Sequence, residues 1–147
     1  MRWMELYPLA YGRLDGIRER RMRIEALEAE AGALENTAKR LSSRERGGVR
    51  SFVRPEGLLT AAADTRAQLR TLVKETDELA RQTDRQLMRL ERPMDRLVLK
   101  LRFLTDLEPA DIQSRLGLAS SGYYRMIERC MAAYDGILRR EAEANEV

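Results

Sequence analysis

Ser120, Ser121, Tyr124, Arg125, Glu128 and Arg129 combine hydrogen-bonding side chains with spacings of three and four residues. On a helix such spacings bring side chains to one side. Serine and tyrosine hydroxyls can meet phosphate oxygens or base edges, and an arginine can fork onto a guanine. The chemistry on offer is recognition rather than bond breaking.

The rest of the composition agrees. The chain has 147 residues, no His and one Cys. That removes the usual imidazole acid/base group, His/Cys metal sites and any internal disulfide. Cys130 falls in an apolar helical stripe and reads as a small buried hydrophobe. Asp77 with Glu78, and Asp64 with Glu75, have arginines at helical spacing and read as surface pairing. Asp106, Glu108 and Asp111 read as helix-capping groups before a metal site. Gly47-Gly48 lacks the Lys and Ser or Thr of a phosphate-binding loop. The expectation is a non-enzyme with no catalytic residue, metal site or cofactor.

Charge is nearly balanced, with 27 basic against 24 acidic residues. The densest positive stretch, from Lys39 to Arg54, holds six basic residues and one acidic. Arg44, Arg46, Arg50 and Arg54 within it are candidate phosphate contacts. From Asp106 onward the balance reverses, to five basic and eight acidic residues. A free-standing DNA reader normally carries a basic face. Phosphate contacts would therefore come from Arg92, Arg96, Lys100 and Arg102, or from the arginine-rich loop. No segment resembles a signal peptide or approaches the roughly 18 apolar residues of a membrane span. A cytoplasmic protein without a membrane partner is expected.

The elements that must position these residues are helical. Arg, Glu, Leu and Ala dominate, and aromatics are 5%, a composition of long helices. From about Leu14 to Leu41, Ile17, Ile24, Ala31 and Ala38 repeat every seven residues beside Leu27, Leu34 and Leu41, a coiled-coil spacing. Residues 42–57 hold Ser42, Ser43, Gly47, Gly48, Pro55 and Gly57 and read as a loop, in which Val49, Phe52 and Val53 could form a short strand. A second long helix, about Leu58 to Leu90, carries Leu69, Leu72, Thr76, Leu79, Thr83, Leu87 and Leu90. Two such helices fold most simply into an antiparallel hairpin. Pairing between chains competes.

Pro93 opens a third helix ending near Phe103. Pro109 to Leu116 forms a short fourth helix, with Glu108 or Asp106 helping to cap it, and Gly117 supplies a left-handed turn. A last helix starts at Ser120 or Ser121 and runs to about Arg140. Its apolar face holds Tyr123, Met126, Ile127, Cys130, Met131, Tyr134, Ile137 and Leu138. The expected fold is all-α: a long, coiled-coil-like antiparallel hairpin over residues 1–91, with its basic loop at 42–57, then a helix-turn-helix bundle over 92–147. Helix, glycine turn and helix also describe an ordinary small bundle.

The run Arg96-Leu-Val-Leu-Lys-Leu-Arg-Phe-Leu104, followed by Leu107, Asp111-Ile112, Leu116-Gly117-Leu118 and Tyr123, resembles region four of bacterial sigma factors. It is also similar to small bacteriophage and prophage transcription regulators that carry a helical N-terminal part. The likeness covers residues 92 to 140. It implies a major-groove surface of Ala119, Ser120, Ser121, Tyr124, Arg125 and Glu128. Independently of the likeness, the helix-turn-helix reading lets Arg102 and Arg115 hold the DNA backbone on either side. Gln113 stands where the family has a small Ala, Ala119 where it has a capping Ser, and Gly122-Tyr123 where it has Thr-Val. The cap is then expected at Ser120.

The function expected on these grounds is a phage or prophage transcription regulator, binding duplex DNA as a homo-oligomer. RNA polymerase or another phage or host protein is the candidate partner of the hairpin. Two alternatives stand beside it: a protein-interaction module, and a DNA-packaging adaptor of the small-terminase kind.

Overall fold

A computed structural model describes residues 2–46 and 54–146, with backbone alone for 44–46. Among the described residues the protein is all-α, with six helices and no strand. They are α1 (Trp3–Leu6), α2 (Pro8–Arg46), α3 (Pro55–Leu87), α4 (Pro93–Phe103), α5 (Pro109–Leu116) and α6 (Ser120–Asn145).

Proline opens α2, α3, α4 and α5. Its ring presets a helical φ, and its missing N–H is one that a first turn leaves unpaired anyway. The long helices extend further than their apolar periodicity suggests. Ser42–Arg46 and Pro55–Gly57, expected in a loop, are helical. Serine costs little inside a helix that is already propagating. The candidate strand of Val49, Phe52 and Val53 lies outside the described residues.

The residues group into two compact units. One comprises Arg20–Asp77, the other Met1–Glu19 with Glu78–Val147. The second takes residues from both sides of the boundary expected at 91/92.

In Arg20–Asp77 two ion pairs join the segments of α2 and α3. Arg66 Nε donates to Glu35 Oε2 at 2.9 Å, and Arg20 reaches Glu75 at 4.0 Å. The same segments carry Ala31, Ala38, Ala62 and Leu69. All four are buried, as are Thr65 and Thr76. Thr76 Oγ1 donates to the carbonyl of Leu72 at 2.6 Å. That bond satisfies a hydroxyl that burial would otherwise penalise. The second expected set, Leu27, Leu34 and Leu41, is half-buried along the flank. The Arg66 guanidinium holds the Glu35 carboxyl below the usual carboxylate range through their hydrogen bond.

The other unit has the larger core. Phe103, Ile112, Tyr123, Ile127, Met131 and Tyr134 are its main fully buried side chains, joined by Trp3, Ala10 and Leu14 from the N-terminal residues. Asp135 is also buried. Its Oδ1 accepts the backbone N–H groups of Leu9 at 2.9 Å and Ala10 at 3.1 Å, and Arg139 donates to its Oδ2 at 3.0 Å. A polar network lies beside it. Gln86 Oε1 accepts from Arg13 at 2.8 Å and from the Tyr134 hydroxyl at 3.0 Å, while Gln86 Nε2 donates to Glu141 at 2.7 Å. Each buried polar atom named here has a partner, as a low-dielectric interior requires.

Candidate nucleic-acid interface

Helix α5 ends on Gly117, the one described residue with positive φ, at 66°. That left-handed step lets the Leu118 N–H return to the carbonyl of Gln113 at 2.9 Å and the Gly117 N–H to Ser114 at 3.3 Å. Two terminal carbonyls are satisfied in this way. Leu118 turns half-buried against the core, and the chain re-enters a helix at Ser120.

The start of α6 departs from the expected cap. Ala119 is the N-cap residue, extended at φ −72° and ψ 158°, and no side chain caps the helix. Ser120 is already the first helical residue. Similarly, Glu108 precedes α5 without a side-chain cap bond, and Asp111 stands in the first turn. The first turn of α6 holds no acidic residue. Its leading N–H groups and the positive end of the helix dipole therefore face out beside Ser120 and Ser121, both exposed.

Ser121, Tyr124, Arg125 and Glu128 share one exposed side of α6. Tyr124 is 42% exposed, and its ring meets Tyr123 edge-on at 5.0 Å between centroids. Tyr123 is wholly buried, and burial pushes its phenol above the ordinary value. The pair thus sets one ring in the core and one on the surface. Arg125 Nε donates to the carbonyl of Ser121 at 3.3 Å, folding the side chain back along the helix. Arg115, in the last turn of α5, is exposed.

Other expected cations are engaged within the fold. Arg129 donates to Asp95 Oδ1 at 2.9 Å, and that carboxylate is largely buried. Lys100 pairs with Asp84 at 3.0 Å. Arg96 reaches the carbonyl of Leu90 at 3.4 Å. The Arg102 guanidinium lies 5.6 Å from the Trp3 ring and 5.1 Å from that of Phe103, a cation–π arrangement. Its Nε and the Tyr123 hydroxyl are buried without a hydrogen-bond partner among the described residues.

Of the arginine-rich loop, Arg54 is exposed just before α3 in the unit Arg20–Asp77. Arg50 and the side chains of Arg44 and Arg46 lie outside the described residues.

Asp135 was not legible as a structural group, because a carboxylate between Tyr134 and Ile137 has no local sign of a partner more than a hundred residues away. Among the described residues no group of three or more His, Cys, Asp or Glu side chains is placed to hold a metal ion. No helix among them is long and apolar enough to cross a membrane.

No protein-family model, curated protein or solved structure matches the chain.

Proposed function

We propose that the protein is a DNA-binding transcription regulator of the phage or prophage kind, with α5 and α6 acting as a helix-turn-helix on duplex DNA. One observation carries this reading. Ser120, Ser121, Tyr124, Arg125 and Glu128 are exposed together at the N-terminal end of a long helix, entered through a glycine-capped turn and free of acidic residues in its first turn. In the groove-binding mode, Arg125 and Tyr124 meet base edges, while Ser120, Ser121 and the first N–H groups of α6 meet a phosphate. Arg115 holds the backbone on the α5 side. The segments of α2 and α3 serve as a coiled-coil-like antiparallel hairpin that pairs with a second copy or a partner such as RNA polymerase. No covalent chemistry is involved.

The test is selection from a pool of random duplexes at low and moderate salt, with Arg125→Ala and Tyr124→Ala alongside. Loss of one bidentate arginine contact costs roughly 1–3 kcal/mol, so enrichment should survive in the parent chain and collapse in Arg125→Ala. Binding that vanishes with salt and ignores both substitutions would remove the reading.

A second reading, a protein-interaction module, is favoured by Met94 and Leu97. They stand one turn apart on α4 and are 42% and 43% exposed. Paired apolar side chains of this kind suit a helical partner better than DNA.

A further inference from the structure

Within the unit that holds α4 to α6, an open cleft of about 440 Å³ lies between the α3–α4 connection and the outer side of α6. Four arginines line it: Arg89, Arg92, Arg129 and Arg140. Two carboxylates, Glu91 and Asp95, also reach it. The floor is made by Ala132, Ala133 and Gly136, whose lack of side-chain bulk keeps it concave.

The charges are not equivalent. Arg129 is engaged by Asp95 at 2.9 Å, and Arg89 by Glu141 at 2.7 Å. Arg92 and Arg140 are exposed and have no ion-pair partner among the described residues. The Arg140 guanidinium lies over the floor, with one nitrogen 3.6 Å from the point a Cβ on Gly136 would occupy. Helix α4 begins at the rim, at Pro93, with no side-chain cap bond. Asp95 stands in the first turn of this helix and offsets the positive end of its dipole. Leu90 and Ile137 at the edge are already buried, so the cleft offers no apolar anchor to a peptide.

We propose that this cleft is a binding site for a phosphate group, held between the free guanidiniums of Arg92 and Arg140 over the Ala132–Gly136 floor. Planar guanidinium forks match tetrahedral oxyanions through paired hydrogen bonds. The small floor admits a compact anion. Asp95 is already neutralised by Arg129, and the remaining pair Arg92 and Arg140 outweighs the single carboxylate of Glu91. The site is separate from the exposed face of Tyr124 and Arg125 and stands whether or not that face binds bases.

The test is a pyrophosphate titration of the full chain, followed by backbone amide NMR at ionic strength matched with chloride. Saturable shifts at Ala132, Ala133 and Gly136 are expected, weakened at least about tenfold in the double variant Arg92→Gln, Arg140→Gln. Gly136→Leu, which adds bulk to the cleft, should abolish binding, and the amide spectrum away from the cleft checks that the fold is retained. Arg81→Gln, outside the cleft, should leave affinity unchanged. A short duplex added as competitor identifies the source. Displacement points to a DNA backbone phosphate and no displacement to a small phosphorylated molecule, and both support the site. Shifts that never saturate, or affinity unchanged in the double variant, would overturn it. Failure of the DNA reading would instead appear as duplex binding indifferent to Arg125→Ala, with the pyrophosphate shifts intact.

Discussion

Asp135 Oδ1 accepts the backbone N–H of Leu9 at 2.9 Å, joining the middle of α6 to the first turn of α2 across 126 positions of sequence. A helix leaves its first N–H groups unpaired, and a nearby side chain normally caps them. Here the cap comes from a distant helix, and its negative charge sits on the positive end of the α2 dipole. Asp135→Ala strands the N–H groups of Leu9 and Ala10 and removes the partner of Arg139. It should cost about 2–4 kcal/mol. Asp135→Asn keeps an acceptor and should cost less. Urea denaturation reads both, and a parental midpoint in Asp135→Ala would refute the capping role.

Arg129 is bound to Asp95, so its removal acts on the fold. Arg129→Ala leaves a largely buried carboxylate unpaired and should lower stability by about 1–3 kcal/mol. Arg125, hydrogen-bonded only to its own helix, should be replaceable by Ala with a loss under about 0.5 kcal/mol. Thermal melts of the two variants separate them. Equal melting temperatures would show that the Arg129–Asp95 pair contributes nothing.

Alkaline pH should expose the protonated core. Burial, reinforced by the Asp95 carboxylate, pushes the Cys130 thiol up from 9.0 to about 12. Burial also pushes the Tyr134 phenol from 10.0 up to about 12, against the opposing pull of Arg13. In the unfolded chain both groups lose their protons earlier, so above about pH 9 the folded state binds more protons than the unfolded one. Stability is therefore fully present below pH 9 and falls as pH rises towards 12. Denaturation midpoints measured from pH 8 to 11 should decline, and Cys130→Ala with Tyr134→Phe should flatten the decline. Cys130 should resist a thiol reagent at pH 8 until the chain is unfolded.

Two glycines should respond in opposite directions. Gly117 holds a φ of 66°, where a Cβ is strained, so Gly117→Ala should destabilise by about 1 kcal/mol. Gly136 is an ordinary helical residue whose added Cβ meets only Arg140, at 3.6 Å. Gly136→Ala should stabilise by about 0.5–1 kcal/mol. Melting temperatures shifting in the same direction would contradict this account.

Much of the helical framework follows from local rules. Pro93 and Pro109 mark helix starts, Gly117 marks an end, and α4 and α5 have the bounds the sequence suggests. Seven-residue spacing identifies Ile17, Ala31 and Ala38 on α2, and Leu69, Thr76 and Thr83 on α3, as buried, while Ile24 of the same repeat is half-buried. The exposure of Ser120, Ser121, Tyr124, Arg125 and Glu128 follows from their place outside the apolar stripe of α6. Periodicity assigns a face to each helix because side-chain direction repeats with the turn. It carries no information about which distant side chain that face will meet. Only the tertiary structure put Trp3 beside Arg102, Asp84 beside Lys100 and Asp95 beside Arg129. Charge pairs and caps of this kind depend on distances of a few ångströms between segments far apart in sequence. Packing decides them, and with them which arginines of this arginine-rich chain are left to bind something else.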